Sequence, residues 1–305
     1  MKAVRFESYG DIDVLNVVEV PDPLPGSGEV LVRVKAAGIS PGETMIRKGF
    51  LHDRWPATFP SGQGGDLAGV VEQTGQGVDG WHVGDEVIGF TNNRDSHAQL
   101  VTVPTENLTL RPAAVPWDAA GALFGAGTTA WAAVRAVGAS KGDVIVISGA
   151  AGGVGTLAVQ LARNAGATVI GLASEPHHGW LSDHGAIPVT YGDGVAQRIR
   201  EAAGDRIDAL IDTYGSGYVD LAIELGVSPE RINTIIDYQA AARLGVKTEG
   251  SAAGASSAVL AELAQLIANG KLEIPIADTY PLEQVRDAYR ELEQRHTLGK
   301  IVLHP

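Results

Sequence analysis

Ile147-Ser148-Gly149-Ala150-Ala151-Gly152-Gly153-Val154-Gly155-Thr156 is the stretch on which the reading of this chain turns. It follows the apolar run Val144-Ile145-Val146-Ile147 and opens a segment, 155–164, with helical spacing. A glycine-rich turn between a strand and a helix is the setting a dinucleotide requires. Without Cβ atoms the backbone can approach a pyrophosphate, and the free N–H groups at the helix start attract its charge. Tight helix–strand packing is the competing use of the same glycines, and from the sequence both readings stay open. Residues 144–162 carry no charge, a length that would suit a membrane span. The glycines in their middle instead favour a strand, a turn and a helix.

Outward from this loop the grammar is that of a parallel sheet. Continuous Val/Ile runs at 168–172, 187–189, 209–211 and 232–236 alternate with helical segments at 195–203 and 219–225, and an Ala-rich helix is expected at 118–137. Such alternation predicts a doubly wound α/β domain. The first hundred or so residues read differently. Short strands at 30–36, 67–72, 85–89 and 98–103, separated by Gly and Pro, predict a compact, barrel-like β domain. Beyond 247 a helix is expected at 256–269, stopped by Gly270, and a helix near 282–294 and a strand at 300–303 then lead back toward the first domain. The expected division is therefore 1–120, 121–269 and 270–305, consistent with about two domains for 305 residues.

Composition removes several function classes. There is no cysteine, hence no disulfide, thiolate nucleophile, iron–sulfur cluster or Cys-based zinc site. With 36 acidic and 23 basic side chains the formal charge is −13, and the basic residues are scattered, which argues against nucleic acid or an anionic membrane as partner. No Gly-Lys-Ser/Thr follows the glycines, which argues against a phosphate-cleaving loop. The start, Met1-Lys2-Ala3-Val4-Arg5, alternates like a strand rather than a signal peptide, so a soluble cytoplasmic protein is expected.

The second strand's tip selects the nicotinamide cofactor, because a carboxylate there binds the ribose hydroxyls and repels a 2′-phosphate. The chain reads Leu172-Ala173-Ser174-Glu175-Pro176-His177-His178, with Ala173 at the tip and Ser174 able to meet a phosphate. This favours NADPH over NADH, although no Lys or Arg occurs between Asn164 and Gln197.

The loop Gly149-Ala150-Ala151-Gly152-Gly153-Val154-Gly155 resembles that of the zinc-independent quinone oxidoreductases, the zeta-crystallin branch of the medium-chain dehydrogenase/reductase superfamily. Further segments resemble the same family in order. They are Gly38-Ile39-Ser40-Pro41-Gly42-Glu43-Thr44-Met45-Ile46-Arg47-Lys48-Gly49, Pro60-Ser61-Gly62-Gln63-Gly64-Gly65-Asp66-Leu67-Ala68-Gly69, Ala126-Gly127-Thr128-Thr129-Ala130-Trp131, Asp212-Thr213-Tyr214-Gly215 and His296-Thr297-Leu298-Gly299-Lys300-Ile301-Val302-Leu303.

The resemblance implies a GroES-like catalytic domain beside a Rossmann domain, a homodimer, and hydride transfer from NADPH to a quinone or an α,β-unsaturated carbonyl. Carried over by position, Thr129 would lie near the nicotinamide and Ala151, Gly152, Gly153 and Val154 under the pyrophosphate. Ser174 and Tyr191 would lie near the adenosine phosphate, Ser216, Ile236, Asp237 and Tyr238 on the ribose–nicotinamide side, and Lys300 would reach the cofactor from the terminal segment. Ser40, Met45 and Phe50 would line the substrate pocket.

Zinc-containing relatives would place Cys near Ser40 and His near Gly65, so no metal is expected. Ser40 stands where the zinc-free branch has Asn, and is either a polar group for developing charge or a turn residue before Pro41. A cofactor-binding protein with a structural or regulatory role is the alternative to an enzyme.

Overall fold

The computed structural model describes residues 1–204 and 206–305 and divides into two units. One comprises Met1–Gly125, Ser256–Gly270 and Ile276–Pro305; the other comprises Ala126–Ala255 and Lys271–Pro275.

The first unit is built around the strand Glu29–Gly38, whose Val30, Val32 and Val34 are buried while Arg33 and Lys35 face solvent. This two-residue period buries one face of a sheet. The strand pairs antiparallel with Asp66–Thr74 (Val34 opposite Gly69), with Leu100–Pro104 (Val32 opposite Val101) and with the terminal strand Lys300–His304 (Val302 opposite Gly38). Gly69 is required by the closeness of the pairing, since a Cβ there would come within 2.2 Å of the Arg33 carbonyl oxygen. One core forms from Val30, Val32, Val34, Leu67, Val71, Val87, Val101 and Val103. A second joins Val4, Phe6 and Ile39 to Ile301 and Leu303 of the last strand and to Val285, Ala288 and Tyr289 of the helix Val285–Glu293.

The second unit holds a five-stranded parallel sheet in the order Ile187–Val189, Thr168–Leu172, Val144–Ile147, Ala209–Asp212, Ile232–Thr234. Ile145, Val146, Ile147, Val169, Ile170, Leu210 and Ile211 are all buried, as covered parallel strands require. The chain leaves Val144–Ile147 toward one edge and later returns to its other side at Ala209–Asp212. The carboxyl end of Val144–Ile147 is thus the topological switch point, where open α/β sheets bind ligands.

Four sequence expectations shift. The helix Ser257–Ala268, expected with residues 121–269, clusters with the first unit and packs on the strands Glu86–Phe90 and Leu108–Leu110. Its apolar spacing specifies a buried face but not the sheet that buries it. The first crossing falls after Gly125 rather than at 120. The helix expected over 118–137 is two helices, Trp117–Gly121 and Leu123–Ala136. The break lies against the central strand, where a Cβ on Gly121 would come 2.4 Å from Ala36 O and one on Gly38 would come 2.8 Å from Ala122 Cα. The strand expected at 232–236 ends at Thr234, whose hydroxyl accepts the Ile236 and Asp237 N–H groups and turns the chain. Among the described residues no helix is long and apolar enough to cross a membrane.

Candidate active-site residues

In the second unit the glycine loop is fastened from beneath. Ser148, at the end of the first strand, donates from Oγ to Asp212 Oδ1 (2.6 Å) and accepts the Thr213 N–H (3.0 Å), while Thr213 Oγ1 donates to Ser148 O (2.8 Å). Asp212 is fully buried and also accepts Thr234 Oγ1–H (2.8 Å) and the Tyr214 and Gly215 N–H groups. One carboxylate thereby ties together the carboxyl ends of three neighbouring strands. Sequence reasoning used Asp212 only as part of a family segment; an aspartate closing an apolar strand was the available signal.

The glycines divide their work. Gly149 has φ +58°, and a Cβ on Gly155 would come 2.1 Å from Gly149 O, so these two serve turn geometry and helix packing. Gly152 differs. It is the N-cap of the helix Gly153–Asn164, has ordinary extended backbone (φ −75°, ψ 173°) and supplies no side-chain bond to the helix start. The helix begins two residues before the expected 155, so Ala151, Gly152, Gly153 and Val154 surround its N-terminus with amides that no capping side chain covers. That arrangement suits an anion. The packing reading thus accounts for Gly149 and Gly155 but not for Gly152.

At the second strand's tip Ala173 is buried and donates its N–H to Val189 O, and His178 Nε2 lies 3.2 Å from Ala173 O. Ser174 starts the turn Glu175–His177 without a side-chain capping bond. Tyr191 is exposed, and its loop is held by Arg198, which donates to the carbonyls of Thr190, Tyr191, Gly192 and Asp193. Arg198 lies just beyond the cation-free interval of the sequence and was missed because helix spacing conceals how far a long side chain reaches back. Ser216 sits in the left-handed region at φ +59° between Gly215 and Gly217, a conformation costing a non-glycine residue about 1 kcal/mol or more. Asp237 accepts the Ala240 N–H and caps the helix Tyr238–Leu244. Ile236 and Tyr238 are exposed, and Thr129 is buried within Leu123–Ala136.

The first unit holds a second polar group of residues. Ser40 and Glu43 form a capping box at the head of the helix Pro41–Arg47. Glu43 Oε2 accepts the Ser40 N–H (2.8 Å) and the Tyr289 hydroxyl (2.7 Å), and Glu43 Oε1 accepts the Gly65 N–H (3.2 Å). Tyr289 Oη in turn accepts from Gln63 Nε2 at 2.9 Å. Burial pushes the Glu43 carboxyl above its ordinary range against these donors and the Lys300 charge. Burial also raises Asp66, to about 6, and lowers His97, to about 4.

Lys300, expected to extend toward the cofactor, is buried in this unit; its ammonium donates to Ile39 O (2.7 Å) and stands 4.0 Å from Asp66 Oδ2. A strand-end lysine looks solvated in sequence, and only the pairing of the last strand with Glu29–Gly38 turns it inward. Met45 and Phe50 are both exposed, on the helix and just beyond it.

Comparison with known proteins bears on both groups. Residues 26–135 match the alcohol dehydrogenase GroES-like domain and residues 184–303 match a family described as zinc-binding dehydrogenase. A quinone oxidoreductase of Pseudomonas aeruginosa is 30% identical over 328 residues, covering 100% of this chain and 99% of that protein. The chain belongs to the quinone oxidoreductases of the medium-chain dehydrogenase/reductase superfamily.

As in other quinone oxidoreductases, a GroES-like unit is joined to a Rossmann-type parallel sheet. The solved quinone oxidoreductase of Coxiella burnetii superposes with a TM-score of 0.90 at 28% identity, covering 100% of this chain and 99% of that one. The Escherichia coli quinone oxidoreductase complexed with NADPH superposes at 0.89 with 25% identity and full coverage of both chains. The zinc implied by one family description does not fit these residues. Positions 40 and 65 are Ser and Gly, and among the described residues no group of three or more His, Asp or Glu side chains could hold a metal ion.

Proposed function

We propose that the chain is an NADPH-dependent reductase of quinones or α,β-unsaturated carbonyls that works without zinc, as a cytoplasmic homodimer. The observation that carries this reading is the helix start at Gly152–Gly153, stripped of capping side chains at the switch point of a parallel sheet. The residues fit a dinucleotide because Gly152 leaves open the space that a Cβ would take, in front of amides that attract a pyrophosphate. When bound, the nicotinamide supplies the hydride.

The chain's own part is to bind, orient and neutralise. Residues 151–154 hold the pyrophosphate, while Ser174, with Tyr191 on the loop clamped by Arg198, meets the adenosine phosphate. Ser216, Ile236 and Asp237 line the ribose side, and Thr129 lies at the nicotinamide. Ser40, fixed at the helix head by its capping box, offers a hydroxyl to the charge that develops on the acceptor oxygen. Met45 and Phe50 supply apolar contact for the acceptor.

The test is direct: titrate the protein with NADPH and NADH by fluorescence, then follow cofactor absorbance against a panel of quinones and enones. Tighter NADPH binding with turnover of at least one acceptor is the expected result. Binding without any turnover would favour a cofactor-binding role instead, and failure to bind either nucleotide would defeat both readings.

A further inference from the structure

Four of the chain's seven tyrosines, Tyr191, Tyr214, Tyr218 and Tyr238, lie on segments that follow strands of the parallel sheet. Tyr191, Tyr214 and Tyr238 are exposed, and Tyr218 is half-buried against the core of the second unit. Tyr238 turns its hydroxyl back to Ile235 O at 3.1 Å, but the other three converge. The Tyr214 and Tyr218 rings meet edge to face, with centroids 6.2 Å apart and planes at 76°. Burial pushes the Tyr218 phenol above its ordinary range, and Tyr214, Asp212 and Tyr191 stand near enough to push it further. Tyr191 follows Ile187–Val189 and Tyr218 follows Ala209–Asp212, strands three places apart in the sheet and hence about 14 Å apart. To come within range, these two side chains lean inward over the carboxyl ends of Thr168–Leu172 and Val144–Ile147, where the glycine loop begins.

The turn that carries Tyr214 and Tyr218 is shaped to bring them together. Gly215, Ser216 and Gly217 have φ of +87°, +59° and +87°, consecutive left-handed residues that fold residue 214 back against residue 218. Polar atoms of the turn face the sheet: the Tyr214 and Gly215 N–H groups donate to Asp212 Oδ1, and Thr213 Oγ1 donates to Ser148 O. Apart from the Ser216 hydroxyl, the side chains it presents outward are aromatic. The turn also adjoins the glycine loop directly, since a Cβ on Gly149 would come 2.7 Å from Thr213 Oγ1 and 3.4 Å from Tyr214 Cβ. Exposed aromatic side chains gathered beside an anion-binding helix start suit a ligand that carries a flat ring next to its phosphates.

We propose that Tyr191, Tyr214 and Tyr218 form a stacking platform for the purine base of the nucleotide cofactor, and that the base is read by its ring face rather than by its hydrogen-bonding edge. The proposal deepens the dinucleotide reading of the glycine loop and rests on it. Position favours the purine over the nicotinamide. The strand before Tyr191 is joined to the strand tip at Ala173 by the bond from the Ala173 N–H to Val189 O, and this is the half of the sheet in which Ser174 is proposed to meet the adenosine phosphate. Stacking tolerates any base, because every base has a π face. Exchange of the base therefore costs this protein little, whereas a pocket built to hydrogen-bond the adenine amino group would strongly reject the hypoxanthine counterpart.

The test uses 2′,5′-ADP, which has the base without the nicotinamide, reduced nicotinamide mononucleotide, which has the nicotinamide without the base, and the reduced hypoxanthine analogue of NADPH. Tyr214→Ala, at an exposed position, should raise the Kd of 2′,5′-ADP and of NADPH by about 10-fold and leave that of the mononucleotide unchanged. Tyr214→Phe should bind as wild type does, since the ring and not the hydroxyl makes the contact. The adenine H2 and H8 resonances of 2′,5′-ADP should move upfield on binding to wild type, and less with Tyr214→Ala. The hypoxanthine analogue should bind within about threefold of NADPH. Unchanged 2′,5′-ADP affinity in both Tyr214→Ala and Tyr191→Ala would overturn the platform while the dinucleotide reading stood. Weakened mononucleotide binding with intact 2′,5′-ADP binding would overturn the assignment to the purine, and a loss of about 100-fold or more with the hypoxanthine analogue would overturn recognition by the ring face. A wild-type protein that binds none of these nucleotides would defeat the dinucleotide reading, and the platform with it.

Discussion

Replacing Gly152 by alanine separates the two uses of the glycine loop. At φ −75° and ψ 173° an alanine backbone is unstrained, and the new Cβ would find only Gly149 O, at 3.3 Å, within contact range. Relief of that contact takes a few tenths of an ångström, while the loss of glycine's freedom in the unfolded chain favours the folded state by about 0.4–1 kcal/mol. The net change in stability should lie within about 1 kcal/mol, a melting shift of about 2–4 °C or less for units of this size.

The ligand fares differently. A methyl group at the mouth of the helix start stands where the pyrophosphate approaches, and forcing the phosphates back by about 1 Å weakens charge-assisted hydrogen bonds worth about 1.5–3 kcal/mol each. Loss of one such bond raises the NADPH Kd by about 10- to 100-fold. Gly155→Ala is the contrasting change. Its Cβ would lie 2.1 Å from Gly149 O and 2.8 Å from Ala150 Cα, backbone atoms that cannot swing away, so it should cost about 1–3 kcal/mol of stability. Melting curves and fluorescence titration of both variants suffice as assays. A Gly152→Ala protein that melts normally and binds NADPH with unchanged affinity would refute the placement of the pyrophosphate.

Other consequences are equally open to measurement. His97 is neutral in the folded protein to about pH 4, whereas in the unfolded chain it takes up its proton near 6.5. Its contribution therefore favours the folded state above 6.5 and is lost as pH falls toward 4, while Asp66, raised to about 6, works in the opposite sense over 3.8–6. In urea titrations His97→Gln should thus gain stability relative to wild type between pH 7 and pH 4.5, and parallel curves would contradict the buried neutral imidazole. Arg198→Ala should release the 190–193 loop, lowering NADPH affinity several-fold and exposing that loop to hydrogen exchange; unchanged protection would show that the clamp is dispensable. Glu293→Gln removes the anion beside the fully buried Arg47, whose Nε and Nη1 already lack partners, and should cost about 3–5 kcal/mol by chemical denaturation.

Much of the architecture was legible because it repeats. The Val/Ile runs at 144–147, 168–172 and 209–212 are too apolar for anything but a covered sheet, and the glycines mark its switch point. The partner of Ser257–Ala268 could not be read, since an amphipathic helix states that it buries a face without naming the surface it meets. The polar groups were half legible. Ser40, Ser174 and the loop residues could be located from local pattern, because cap and turn geometry are properties of a few consecutive residues. The Glu43–Tyr289–Gln63 chain and the inward Lys300 join positions more than 200 residues apart, and no local rule brings such residues together.

The return of Lys300–His304 to pair with Glu29–Gly38 also orders events during synthesis. Residues 126–275 contain the whole parallel sheet and can complete it while the chain is still being made. The first unit, though it contains residues 1–125, lacks a strand of its sheet until residues 300–304 leave the ribosome. Its edge at Gly38 and the apolar side chains awaiting Ile301 and Leu303 stay uncovered meanwhile. The usual N-to-C order of domain maturation is thus inverted in this molecule.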